Sequence, residues 1–565
     1  MYFPCCRRFS DHDAADSRTR EIWGNLSMKE GLSVSALPLC IDPPEKEAEI
    51  PEGAFFSRRV VGGVPWTVAS KLVLFLAYFG ISVITVRSLG ADRYGLFSLC
   101  RNIGEYLIVV CGLGFNTALI RFIPELLIAQ NRTGLRHLLW KTGALQAGMA
   151  TVSGLALWAA RPWFDRWFHV DFQHYLPLVA LLVGVELSRN FINDAFTSLF
   201  QVRVVSIMSV CRGILWFGIA AALLPAVPEV HVALLAQIVP FAVVSVVGGI
   251  LLAGSVRRLK WHPTSAPGIG RRRTMKISLS SALDSVANML VRRYSEVFFL
   301  GVFATPAVVG MYDLGCSLPF MIVTFIPLAV QNLFVSGFAE AYARDKGCLG
   351  RLIPSFYRAL ILTVVPISVF GAFWAPQIMT LLYGPKMQAA GPIAALFFIL
   401  HTVPLIYMPL SMAIITQEKI LNMFPLTVLQ IVVGLSLDYL LIPRYGMYGA
   451  VAAVLGAHAL SAPCILYAVS RIVGGIYFPF GFFVKITGPL VLLGALLSPL
   501  FPQLNVATLL GLGIGYAGAY LVMIRKLRLV RPEDVGEFRN LGFDRLNRVL
   551  DCLIEGPSGR AKIRS

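Results

Sequence analysis

Long apolar runs recur along most of the chain, among them residues 72–86, 232–252 and 389–415. Helices of about 20 apolar residues cross a hydrocarbon core of about 30 Å. The pattern predicts about fourteen spanning helices. Their centres fall near Phe75, Ile108, Ala150, Glu186, Trp216, Val243, Asn288, Ile322, Val364, His401, Val432, Leu455, Leu492 and Gly515. Pro319, Pro327, Pro366, Pro404 and Pro409 lie inside apolar runs, where they free backbone groups and permit kinks.

The polar links between the runs alternate in charge. Arg121, Arg132, Arg136 and Lys141 follow the second run. Arg257, Arg258, Lys260, Arg271, Arg272, Arg273 and Lys276 follow the sixth, with no acid among them. Arg344, Lys346 and Arg351 follow the eighth, and Arg525, Lys526, Arg528 and Arg531 the fourteenth. The opposite-side links 224–230, 304–306 and 498–505 are weakly charged, and Arg444 falls on that side as an exception. Lys and Arg are retained in the cytoplasm, so both termini are expected there, with the chain in the cell (inner) membrane.

The domain reading follows. Residues 1–63 are expected to be a disordered cytoplasmic lead, 64–254 a six-helix bundle and 255–275 a basic cytoplasmic linker. A second six-helix bundle is expected over 276–472, two further helices over 473–525 and a cytoplasmic tail over 526–565. A repeat supports two parallel halves around a central cavity. Leu89-Gly90 with Tyr94-Gly95-Leu96-Phe97 after the first run parallels Val309-Gly310-Met311-Tyr312 after the seventh.

Composition narrows the class. Hydrophobic residues make up 56% and charged residues 14%, against about 25% charged in soluble domains. The formal charge of +18 is explained by loops held at an anionic leaflet, and no soluble basic domain exists to grip a nucleic acid. The ten Cys residues are scattered, without metal-ligand spacing, and no disulfide, metal or cofactor is expected. No GxxxxGK[ST] phosphate loop and no nucleophile–base motif appears, so the chain reads as no enzyme.

Polar residues inside the runs supply the candidate chemistry, because charge at mid-membrane costs about 2.5–3.5 kcal/mol and marks pathways. Ser281, Asp284, Asn288, Arg292 and Ser295 step at helical spacing in the seventh run, with Arg293 at the edge and Glu296 one turn on. Glu186, Arg189, Asn190, Asn193 and Thr197 form a second stripe. Arg101 and Glu105 share a face with Ser98, as Arg212 does with Ser206 and Ser209. Asp313 and Asp438 stand alone. Intrahelical pairing (Arg292 with Glu296, Arg101 with Glu105, Glu186 with Arg189) is one reading; a solvated cavity holding an anion is the other. Arg predominates over Lys, and its planar fork suits phosphate.

The order Leu89-Gly90, Tyr94-Gly95-Leu96-Phe97, Gly112-Leu113-Gly114 and Ala118-Leu119-Ile120-Arg121-Phe122 resembles one known family. Val309-Gly310-Met311-Tyr312, Leu381-Leu382-Tyr383-Gly384 and Leu441-Ile442-Pro443-Arg444-Tyr445-Gly446 extend the likeness over about residues 64–525. It is to the polysaccharide-transport branch of the multidrug/oligosaccharidyl-lipid/polysaccharide exporter superfamily. The resemblance implies an all-α fold of two six-helix bundles around a cavity, plus two C-terminal helices. It also implies alternating access and flipping of a lipid-linked oligosaccharide, on a polyprenyl-pyrophosphate carrier, to the outer leaflet. Arg101, Arg189, Arg212, Arg292 and Arg293, with Asn288, would then hold the head group. Asp284, Glu296 and Glu105 are the candidates for coupling to H⁺ or Na⁺. Membrane lipid, a polysaccharide polymerase and glycosyltransferases are the partners implied. The family often carries Asp near the outer end of the seventh helix, where this chain has Glu296. A cation-coupled drug exporter of the same fold is the alternative transporter. An integral-membrane glycosyltransferase or polymerase is the enzyme alternative, disfavoured by the short external loops.

Overall fold

The computed structural model describes residues 55–168, 170, 172–258, 278–279, 281–282, 285–286, 295–344, 349–417, 424–475, 478–501, 505–527 and 529. These residues form fifteen α-helices. The first half contributes α1 (Phe55–Gly112), α2 (Phe115–Ile128), α3 (Arg132–Ala159), α4 (Arg161–Phe168), α5 (Leu176–Ser198), α6 (Val202–Leu223) and α7 (Val230–Arg258). Next come α8 (Ser295–Phe303), α9 (Pro306–Arg344), α10 (Leu349–Tyr383), α11 (Ala390–Leu400) and α12 (Val403–Thr416). The last three are α13 (Phe424–Val473), α14 (Phe480–Leu497) and α15 (Val506–Lys526). Helix α1 starts at Phe55, ahead of the first expected span at residue 64.

Nine helices are long and apolar enough to cross a membrane, among the described residues. Two of them hold two predicted spans each. Helix α1 breaks at Gly90, whose φ of 72° is left-handed and readily adopted only by glycine. Lys71 and Glu105 line one cavity, yet in a straight helix they would stand about 50 Å apart, so the two arms fold back on each other. Helix α13 breaks likewise at Gly446, with φ 54°. A Cβ on Gly449 would collide with the carbonyl of Leu441, a pair about 12 Å apart along an unbroken helix.

Helix α3 is too polar to pass that test, and its tryptophans show that it spans. Trp140 and Trp158 are both exposed and lie about 27 Å apart along the axis. That matches the core thickness, with an interfacial ring at each end. The span expected at His401 is a pair, α11 and α12, joined by a turn at His401 and Thr402. The His401 ring meets the carbonyl of Cys316 at 3.1 Å and stacks on Phe397, so it is an interior residue with partners. Pro404 sits in the first turn of α12 rather than within a helix body, and Pro409 lies inside it. The body of the seventh predicted span, with Asp284, Asn288, Arg292 and Arg293, lies outside the described residues, as does the linker from residue 259 on.

Helix packing falls into two sets. Helix α5 contacts α2, α3, α6 and α7, while α10 contacts α9, α11, α12 and α14. Helix α1 ties the sets together near its Gly90 turn. Arg87 donates to the carbonyls of Leu381 and Leu382 at 2.7 and 2.6 Å, in the last turn of α10. The Tyr94 hydroxyl donates to Asp313 at 2.9 Å, and both residues are buried. Gly95 and Gly310, the paired glycines of the sequence repeat, lie backbone to backbone. A Cβ on Gly95 would overlap the Pro306 carbonyl, and one on Gly310 would come within 2.7 Å of the Ala91 oxygen.

Candidate functional site: a basic cavity between the two helix sets

A cavity of about 620 Å³ opens between α1, α5, α6, α7 and α9. Four cationic side chains line it, Lys71, Arg101, Arg189 and Arg212, against two carboxylates, Glu105 and Glu186. Polar side chains add Tyr78, Ser82, Thr85, Gln237 and Thr324.

Each wall has a local cause. On α5, Glu186 and Arg189 are one turn apart, so both face inward. Arg189 donates through Nε and Nη2 to the same Glu186 oxygen, at 2.6 and 2.5 Å, and through Nη2 to Asn190 at 2.8 Å. Glu186 and Arg189 are therefore paired within their helix and also line the cavity wall. Its far end is not part of the site, since the Thr197 hydroxyl bonds back to the Asn193 carbonyl within the helix.

Arg212 of α6 reaches across to α1, where Nη2 donates to the Tyr78 hydroxyl at 2.5 Å. Its guanidinium lies 4.7 Å from the centroid of the Phe241 ring, and that of Arg189 lies 5.8 Å from the same ring. Trp216 meets Phe241 edge-on at 5.4 Å and Tyr78 at 5.8 Å. Three aromatic rings thus hold two arginines, and cation–π attraction is strongest where water is excluded. Arg212 Nε is buried and has no hydrogen-bond partner among the described residues. Nor has Gln237 Oε1 on α7, one turn from Phe241. Unmet buried groups of this kind suit a site that is completed by a ligand.

Four of the expected residues, Arg101, Glu105, Arg189 and Arg212, thus meet in one cavity. Glu296 does not line it. Helix α8 packs on α13, and Glu296 lies there within electrostatic reach of Asp438. Asp438 is 1% exposed and takes a hydrogen bond from Ser295. The sequence left Asp438 as an isolated acid; the fold gives it a carboxylate neighbour. The aromatic cage of Tyr78, Trp216 and Phe241 was also not legible, because aromatics in apolar runs read as lipid-facing or core residues. Lys71, placed at the margin of the first run, donates to the Leu328 carbonyl at 2.9 Å.

Comparison with known proteins agrees with this architecture. Residues 60–335 match the family model described as "Polysaccharide biosynthesis protein". No curated protein matches the sequence. Among solved structures, the lipid II flippase MurJ in an inward closed conformation aligns with a TM-score of 0.59 at 12% identity, over 81% of this chain and 99% of that one. A MOP superfamily transporter from Pyrococcus furiosus, described by the reverse polarity of its binding pocket, aligns with a TM-score of 0.54 at 16% identity, over 75% and 99%. A multidrug resistance MATE transporter in an outward-facing conformation gives 0.52 at 15%, over 76% and 99%. At these identities the likeness is one of fold.

Proposed function

We propose that the chain, which matches a polysaccharide-biosynthesis family model over residues 60–335 and shares the fold of the flippase MurJ and of MATE transporters, is an exporter of the multidrug/oligosaccharidyl-lipid/polysaccharide superfamily that flips a lipid-linked oligosaccharide by alternating access. The observation that carries this reading is the charge of the cavity: four cations against two carboxylates. A polyprenyl-pyrophosphate head group is anionic, and guanidinium forks match its oxygens. A cavity built for cationic drugs would need the opposite balance. Arg101, Arg189 and Arg212 are the head-group ligands in this reading. Arg292, Arg293 and Asn288 are added to them on the sequence stripe alone. The direction is from the inner to the outer leaflet of the cell (inner) membrane, with both termini cytoplasmic, and a polymerase and glycosyltransferases act before and after it.

The coupling ion, H⁺ or Na⁺, is assigned to carboxylates, since no nucleotide-binding loop is present in the sequence. Glu105 sits in the cavity, Glu296 stands beside Asp438, and Asp284 is kept on its place in the stripe. Reconstitution tests the whole reading. Proteoliposomes holding a fluorescent polyprenyl-diphosphate oligosaccharide should expose it to an external quencher, faster under an imposed proton or sodium gradient. Neutralising the coupling carboxylate among Glu105, Glu296 and Asp284 should abolish the gradient response. Uptake of a cationic dye without movement of the lipid would favour the drug-exporter alternative instead.

A further inference from the structure

A second cavity, of about 1160 Å³, lies between α3, α5 and α7 and shares no residue with the basic central cavity. Arg132 and Arg136 of α3 and Arg257 of α7 stand at one end of it. None of the three makes an ion pair among the described residues. His137 adds a further nitrogen base, and no carboxylate lines the groove among the described residues.

From this basic mouth the groove runs down α3 past Gly143 and Ala147 to Ala150. From Trp140 to Ala150 that is about 15 Å of helix, about the half-thickness of a hydrocarbon core. Its opposite walls carry Gly184 and Gly249, where the missing side chains leave a channel open. Exposed Trp140 fixes the depth, because tryptophan prefers the lipid–water boundary. Arg136 and Arg132 then lie on the aqueous side of that boundary, at the level of head groups. Cations above an apolar channel are complementary to a phosphate on an acyl chain, and to neither alone.

We infer that the groove between α3, α5 and α7 is a binding site for an anionic phospholipid of the surrounding bilayer, its phosphate held by Arg132, Arg136 and Arg257 and one chain laid along α3. A volume of about 1160 Å³ exceeds the roughly 300–1,000 Å³ of small-molecule pockets, which suits a head group together with part of a chain. The site is independent of the flipped substrate, because the cavity proposed for that substrate is elsewhere.

The test is lipid retention by the intact, purified chain in native mass spectrometry. Wild type, offered equal phosphatidylglycerol and phosphatidylcholine, should keep phosphatidylglycerol at least tenfold preferentially. The triple variant Arg132→Gln, Arg136→Gln, Arg257→Gln should lose that preference. A control with equal charge loss, Arg121→Gln, Arg525→Gln, Lys526→Gln, should keep it. Ala147→Phe, which fills the channel and leaves every cation, should also lose it. Unchanged retention in the triple variant overturns the site. Retention that survives Ala147→Phe, or that inorganic phosphate or glycerol 3-phosphate competes away, reduces it to a basic surface without a chain groove. Should the triple variant fail to fold, Ala147→Phe and the phosphate competition decide alone.

Discussion

At the residue scale, Arg212 does the most that no other side chain could do. It bonds Tyr78, stacks on Phe241, and keeps Nε turned to no described partner. Lysine could supply the charge but neither the flat face nor the fork. A cation–π contact with exclusion of water is worth about 2 kcal/mol, and a hydrogen bond to a charged group about 1.5–3 kcal/mol. Arg212→Ala should therefore slow lipid flipping in proteoliposomes by about a hundredfold, with normal insertion, and Arg212→Lys should fall between. Wild-type flipping by Arg212→Ala would remove Arg212 from the head-group site. The arginines were legible in the sequence because a charge inside an apolar run is costly and conspicuous. The aromatic cage was not, since nothing in the spacing of Tyr78, Trp216 and Phe241 distinguishes a ring that faces a cation from one that faces lipid. Nor could spacing bring Glu296 to Asp438, because that contact depends on how α8 packs on α13.

At the element scale, the crossing of α1 and α9 is set by two hydrogen atoms. Gly95 abuts the Pro306 carbonyl and Gly310 abuts Ala91, so the backbones themselves form the joint between the helix sets. A methyl group at Gly95 meets backbone, which cannot rotate away, so the helices must separate. Gly95→Ala should cost several degrees of melting temperature and most of the transport. Gly434→Ala is the control: it is helical, with nothing within 4 Å of an added Cβ. There the substitution should be neutral or stabilising by up to about 1 kcal/mol. Equal melting temperatures for Gly95→Ala and wild type would show that the joint is not tight. The repeat in the sequence pointed to these glycines as a pair, yet their meeting each other is a tertiary fact. Helix count was legible from run length for most spans. The spans on either side of Gly90 and Gly446 were separable because Asp92, Arg93 and Arg444 interrupt the apolar runs there, while the left-handed glycine that turns each chain back is a feature of the fold.

At the scale of the whole molecule, the proposed alternating access makes the contacts around the Gly90 turn and the cavity beyond them one of two states. Arg87 bonds two carbonyls in the last turn of α10, Arg93 bonds the Pro228 carbonyl at 2.5 Å, and Tyr94 bonds Asp313. The Gly90 end is thereby closed, while the cavity extends away from it toward Lys71 and Leu328. With both termini cytoplasmic, as proposed from the charge rule, that end is the outer one and the closed Gly90 end is that of an inward-facing state. Alternating access requires these latches to open, and their strength sets the population of the outward state. Arg87 bridges the two helix sets with two charged hydrogen bonds, and the outward state must break both. Both bonds are exposed, so together they are worth about 1.4 kcal/mol, which shifts a two-state ratio about tenfold. In a Cys-free background, Ser82→Cys places a thiol in the cavity wall, where Ser82 meets Tyr383 across the sets at 3.2 Å. Adding Arg87→Ala should speed its labelling by an impermeant thiol reagent from outside intact cells by about tenfold. Labelling from inside inverted vesicles should slow. Faster labelling from the inside instead would invert the orientation of the whole chain, and no change on either side would mean that Arg87 is no latch.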